Sequence, residues 1–270
     1  MSRMKIFSDE MAKYGQTYTF MSWDSNGSSS IPLAFIDDGD TESALGFFEN
    51  RREDDLDDLV DTLHAQESLR YPRHGDMKDW LLAVFESNRG FELGTLNPSL
   101  LATCMKKQCS KWTGISMGFV SDNIVMVHKF IDSAFISICS DRDVRDALIS
   151  KLTDELIRRY QKAISNTQFL LEIESSETPM TLNHYFNDNL QKSRQGNASA
   201  NVKNHAFNNG SHGMVVRLAD ATQTTHSMSN DEYVVQDIHD ILHSYYTVSR
   251  KTFVDSVCKL AAVHYLLQSG

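Results

Sequence analysis

The sequence predicts an all-α fold, an elongated antiparallel helical bundle with long disordered loops. Three observations predict it. Apolar residues recur at three- and four-residue steps over long segments, which lays a stripe along one face of a helix. Four prolines and 13 glycines in 270 residues are too few for a turn-rich β fold. Alternating apolar and polar runs, the mark of half-buried strands, are scarce.

Composition bounds the function. A chain of 270 residues can hold one or two domains with a real core, and nothing in it argues for splitting the bundle. Its 41% hydrophobic and 23% charged content is ordinary for a soluble chain. The net charge of −10 argues against broad nucleic-acid binding, which needs a basic face, but leaves room for a local basic patch. The opening residues, MSRMKIFSDEM, lack the apolar centre of a signal peptide. No apolar run approaches the ~18–20 residues that span a bilayer. A cytoplasmic location is expected, with any membrane association peripheral. Cys104, Cys109, Cys139 and Cys258 show neither CxxC nor zinc spacing, so they read as reduced thiols, most of them buried.

Residues 1–75 form an N-terminal part in which 1–20 carry a short helix ending near Gly15. Residues 21–50, with their serine run and Asp37, Asp38, Gly39 and Asp40, bury too little apolar surface to order themselves and read as a mobile loop. The acidic run over 53–61 lacks the ligand order and central glycine of an EF-hand and reads as a solvated face. Residues 76–174 hold the middle helices. The stretch 76–89 is amphipathic, with Trp80, Leu81, Val84 and Phe85 inward and Gly90 as its C-cap. Asn97 followed by Pro98 starts the next helix. That helix is expected to run unbroken over 100–139, roughly 60 Å at the helical rise, with Gly114 and Gly118 marking a close approach or a kink. Ser140 and Asp141 interrupt it. A third helix over 144–174 places Leu148, Leu152, Leu156, Tyr160, Ala163 and Leu170 on one face.

Residues 175–230 show little period and hold Pro179, Gly196, Gly210 and Gly213. A connection that long is a functional or disordered insertion rather than a turn. A last helix fills 231–270, with Val234, Ile238, Ile241, Tyr245, Val248, Phe253, Val257, Leu260, His264 and Leu267 along one stripe. Its first half is acidic and its second half basic, in the sense that suits the helix dipole.

The residues of that last helix carry more than spacing. The run IHDILHSYYTVSRKTFVDSVCKLAAVHYLL, over 238–267, resembles the GTPase effector region of dynamin-like proteins. The details are the Tyr245-Tyr246 pair, SRKTFVD over 249–255, and Cys258. Three further stretches resemble the same family, particularly its fungal-type and Mx-like branches. They are SNRGFELGTLNPSLLATCMKKQCSKW over 87–112, DRDVRDALISKLTDELIRRYQKAI over 141–164 and ETPMTLNHYFNDNLQKSR over 177–194. The resemblance covers roughly residues 80–270. Residues 1–20 are similar to the stretch leading into that region, and 21–75 diverge.

The resemblance implies a dynamin-type stalk. Three of its helices come from the middle region and one from the effector region, and it self-associates into dimers and then polymers on membranes. It implies that Arg89, Gly90, Phe91 and Glu92 lie at a self-assembly contact; a plain interhelical turn is the alternative. It implies that 175–230 is the stalk-tip insertion, which in relatives touches lipid or targets. Lys192, Arg194, Lys203 and Arg217 are the cations there that can meet anionic headgroups, at about 1 kcal/mol each near a surface. They are spread out, and a solvated loop is the alternative.

Family members also carry a GTPase domain upstream. This sequence contains no GxxxxGK[ST] loop to cradle phosphates and no Asn/Thr-Lys-x-Asp guanine reader. The chain is therefore expected to lack a catalytic centre and a cofactor, and to stop before the family's final helix is complete. It would act by self-association or by co-assembly with a full-length dynamin-like GTPase. Its rival role is peripheral membrane binding through 175–230 alone, or that of a non-assembling remnant. His239 and His243 have the i, i+4 spacing of metal ligands, but the pattern is HDILH rather than HExxH and zinc needs a third ligand. Histidines at a surface or interface are the alternative. No GxSxG is present, and no Ser/His/Asp or Cys/His triad follows from the scattered residues.

Overall fold

The computed structural model describes residues 3–20, 59, 62–64, 69–88, 98–176, 179–204, 206–209, 213–217 and 229–268. The chain is mostly helical, as the spacing predicts. Helix α1 (Arg3–Tyr14) ends one residue before Gly15. A methyl group at Gly15 would stand 2.5 Å from the Met11 carbonyl oxygen, so no side chain fits where the chain leaves the helix. The chain then runs extended and Tyr18 pairs in parallel with Arg73. Thr19 N–H donates to the Arg73 carbonyl, and Arg73 N–H to that of Thr17, both at 2.9 Å.

Helix α2 (Met77–Ser87) buries Met77 and Leu81. Trp80, Val84 and Phe85 pack against the core while partly exposed. The described cap of this helix is Asn88, whose Nδ2 donates to the Val84 carbonyl at 2.7 Å. Gly90 lies outside the described residues.

The expected unbroken helix over 100–139 is two helices, α3 (Pro98–Gln108) and α4 (Trp112–Ile138). Proline stands at the first position of α3, where its missing N–H costs nothing. The break after Gln108 is imposed from outside the helix. Thr17 N–H donates to the Gln108 carbonyl at 3.1 Å. The Thr17 hydroxyl donates to the Lys107 carbonyl at 2.6 Å. The Gln108 side chain in turn accepts from Tyr18 N–H at 3.1 Å and donates to the Tyr18 carbonyl at 2.6 Å. These partners satisfy carbonyls that a helix end would leave orphaned. Gly114 and Gly118 both lie within α4, and Gly118 is buried.

Helix α5 (Arg142–Ser176), 35 residues long, folds back from α4 through a short turn and packs along it. Its inward residues are Tyr160, Ala163, Ile164, Thr167 and Leu171. The predicted stripe fails in its first half, because Leu148 and Leu152 are exposed. There the hairpin of α4 and α5 outruns the rest of the bundle.

The expected insertion at 175–230 contains regular structure. Helix α6 (His184–Asn204) occupies its middle, followed by an antiparallel ribbon of β1 (Phe207–Asn209) and β2 (Gly213–Val215). Helix α6 is polar nearly all round, so apolar period could not reveal it; it is held by packing on the final helix.

That final helix, α7 (Asn230–Val257), starts with a capping box. Ser229 Oγ accepts from Glu232 N–H at 3.2 Å, and Glu232 accepts from Ser229 N–H at 3.2 Å. The pattern Ser-x-x-Glu is in the sequence and locates the start two residues before Asp231. The buried face runs through Val235, Ile238, Leu242, Tyr246, Phe253 and Val257. Val234 and Tyr245, expected inside, are only partly buried, so the true stripe sits slightly round from the predicted one. Helix α7 touches α1, α2, α3, α5 and α6, which leaves it little free surface. After Val257 the winding loosens to a π-helix over Cys258–Gln268, where one continuous α-helix was expected. This segment packs on α5 and α4, with Leu260 and His264 exposed.

Candidate interaction surfaces

The cations expected to meet lipid differ in their surroundings. Lys192 is exposed on α6. Arg194, two residues on, turns to α7, where its Nη2 donates to Asp237 Oδ1 at 2.6 Å. The neighbouring Ser193 hydroxyl donates to Asp240 Oδ1 at 2.8 Å, so adjacent residues of α6 dock it on α7. Lys203 is in the same helix, with its side chain outside the described residues. Arg217 follows β2 and lies 5.3 Å over the Phe207 ring. At the entrance to α6, Met180, Leu182 and Tyr185 are exposed, Leu182 almost completely. Arg89, Gly90, Phe91 and Glu92, the expected self-assembly residues, lie outside the described residues.

The histidine pair sits beneath the α6–α7 contact. His239 and Asp240 are buried, and His239 Nδ1 lies 3.2 Å from Asp240 Oδ1. The Phe20 ring packs on both histidines, at 5.6 Å from His239 and 4.6 Å from His243. Burial, and then the neighbouring His239, pull His243 down to about 4, so it is neutral at pH 7. The pair is part of the interior rather than an exposed surface. Among the described residues no group of three or more His, Cys, Asp or Glu is placed to hold a metal.

A cleft of about 530 Å³ opens between α3, α4 and α5, lined by Lys106, Lys107, Cys109, Trp112 and Glu174 among others. Burial holds the Glu174 carboxyl above the usual range, against the opposing effect of the Ser249 hydroxyl that donates to it. Burial also pushes the Cys109 thiol well up, so it stays protonated and is no nucleophile at neutral pH. All four cysteines are free thiols; Cys104 and Cys109 are buried, while Cys139 and Cys258 are half-buried.

Among the described residues, the α4–α5 hairpin carries most of the exposed large apolar side chains. The first half of α4 is buried on nearly every side, from Trp112 to Val125. Beyond it Phe130 is 72% exposed, Ile136 62% and Ile138 83%. Val144, Leu148 and Leu152 of α5 are exposed in the same projecting part. Of these, helical spacing predicts Leu148 and Leu152 to face inward, and spacing carries no record of where the neighbouring helices stop.

No family model, no curated protein and no solved structure matches this chain. The fold alone defines its class, an all-α helical protein. Among the described residues no helix is long and apolar enough to cross a membrane.

Proposed function

We propose that the chain is a self-assembling helical module, the stalk and effector portion of a dynamin-like GTPase that works in membrane remodelling and has no GTP site of its own. The observation that carries the self-assembly is the exposure of Phe130, Ile136 and Ile138 on a helix whose first half is buried on nearly every side. A helix apolar on all sides is ordinarily covered on all sides. The occupant is a second copy of the chain. Residues 126–152 hold four basic side chains (Lys129, Arg142, Arg145, Lys151) and four acidic ones (Asp132, Asp141, Asp143, Asp146), in a chain of net charge −10. Two copies can meet at this neutral stretch without the repulsion that opposes contact elsewhere.

Light scattering at several concentrations tests this. The chain should form a dimer or larger assembly, and the triple change Phe130→Ser, Ile136→Ser, Ile138→Ser should dissociate it. The parallel change Arg89→Ala, Phe91→Ala, Glu92→Ala asks whether the loop implied by the resemblance contributes. A monomer at every concentration would sink the proposal. Mixing the chain with a full-length dynamin-like GTPase and following hydrolysis separates a co-assembling regulator from a module that associates only with itself.

A second role, peripheral membrane binding through 175–230, is supported by Met180 and Leu182, exposed beside the helix that carries Lys192. Flotation with anionic vesicles tests it. Binding that survives Lys192→Gln, Lys203→Gln and Arg217→Gln together with Leu182→Ser counts against it.

A further inference from the structure

Four cations from three separate segments gather around Tyr71. Lys13, near the end of α1, places its Nζ 4.9 Å from the Tyr14 ring centroid and 5.0 Å from that of Tyr71. Lys111, in the turn between α3 and α4, donates from its Nζ to the carbonyls of Arg70 at 2.9 Å and Tyr71 at 3.0 Å. Arg70 and Arg73 flank that point, and both are exposed. Arg73 is fixed by its backbone ladder with Thr17 and Thr19. Among the described residues none of the four forms an ion pair with a carboxylate. Arg70 and Arg73 repel Lys111, yet the fold holds the three together: Lys111 is anchored by two carbonyls and Arg73 by two backbone hydrogen bonds. Among the described residues, then, the cluster has no carboxylate as its counter-charge.

We propose that Lys13, Arg70, Arg73 and Lys111 form a binding site for a phosphate-bearing anion. The inference stands apart from the self-assembly proposed above and uses none of its residues. Two exposed guanidinium forks suit a tetrahedral oxyanion that offers several acceptor oxygens. The two ammonium groups add point charge, and Lys111, held by carbonyls, is already oriented. The match is to a compact dianionic phosphomonoester rather than to an extended polyanion, because the rest of the chain is acidic. Burial and the two guanidiniums bring Lys111 down to about 8, which is the electrostatic cost an anion would remove.

Isothermal titration of the full chain with inorganic phosphate at pH 8 tests the site. Binding is expected with uptake of protons, read as heat that changes with the ionisation enthalpy of the buffer, because an anion returns Lys111 to its charged form. The double change Arg70→Gln, Arg73→Gln lies on exposed side chains and should leave the melting temperature unchanged. It should weaken binding by about tenfold or more, since charge-assisted contacts to both guanidiniums are lost. Lys162→Gln, Lys192→Gln removes two exposed charges elsewhere and should not. Phosphatidylcholine vesicles, with and without a phosphomonoester-bearing inositol lipid, distinguish the source. Arg70- and Arg73-dependent binding to the inositol vesicles identifies a lipid headgroup; dependence seen with free phosphate alone identifies a soluble ligand. Absence of binding to both probes, or equal weakening by the control pair, overturns the proposal.

Discussion

Trp112 donates its indole N–H to the Tyr246 hydroxyl at 3.2 Å, in the buried centre of the bundle. The bond joins the first residue of α4 to the middle of α7. It thereby links the two halves of the sequence across the break that separates α3 from α4. The Trp112 ring also packs at 5.5 Å from Tyr246 and 4.9 Å from Phe253. One side chain thus anchors two turns of the last helix.

Tyr246→Phe keeps the ring and removes the acceptor. The Trp112 N–H is then left buried without this partner, at a cost of about 1–3 kcal/mol. Denaturant unfolding followed by tryptophan fluorescence measures it. Stability equal to wild type would mean that water reaches the indole.

Phe253 is 2% exposed and stacks on Trp112, so Phe253→Ala should cost about 3–5 kcal/mol. An unchanged melting curve would place Phe253 outside the core.

Gly15 and Gly196 predict opposite outcomes for the same substitution. A Cβ at Gly15 would meet the Met11 carbonyl oxygen at 2.5 Å and the Tyr246 hydroxyl at 3.2 Å, both in the core. Gly15→Ala should destabilise by about 1–3 kcal/mol, because backbone must move. Gly196 lies inside α6 with nothing within 4 Å of an added Cβ. Gly196→Ala should stabilise by up to about 1 kcal/mol, through the lower helix propensity of glycine. Paired melting curves decide both, and the two shifts having the same sign would refute the geometry.

Two groups set opposing pH trends. His243 is drawn from 6.5 to about 4 by burial and by His239, so protonation favours the unfolded chain. Its contribution is complete above pH 6.5 and lost as pH falls toward 4, at most about 3 kcal/mol. Glu10 is raised from 4.5 to about 7, first by burial and then by Asp122. Here the folded chain holds the proton more tightly, so stability falls as pH rises from 4.5 to 7. Glu10→Gln should therefore stabilise the protein at pH 8, relative to wild type, by more than it does at pH 4. Thermal melts across that range check the sign, and a constant difference would show that Glu10 titrates normally.

Much of the fold was legible because it depends on local rules. The end of α1 at Gly15, the amphipathic α2, Pro98 opening α3 and the apolar character of α5 and α7 follow from period, capping and glycine alone. The Ser229–Glu232 capping box was equally legible, since both partners lie within four residues. The polar helix α6 was not, because its order comes from Ser193 and Arg194 meeting Asp240 and Asp237 of another helix.

The sequence by itself determined that long helices form and which of their residues are apolar, because both are set by neighbours three and four positions away. Only the tertiary structure decided where those helices break and which apolar residues are covered. Gln108 ends α3 because Thr17 and Tyr18, far away in the chain, take its hydrogen bonds. Phe130 and Ile138 remain exposed because no described helix extends beside them, whereas Tyr160 on the same hairpin is buried. The cluster of Lys13, Arg70, Arg73 and Lys111 exists only in three dimensions, since side-chain and backbone contacts between distant segments bring its members together. Hydrogen-bond partners and burial depend on what arrives from elsewhere in the chain, and local spacing carries no record of that.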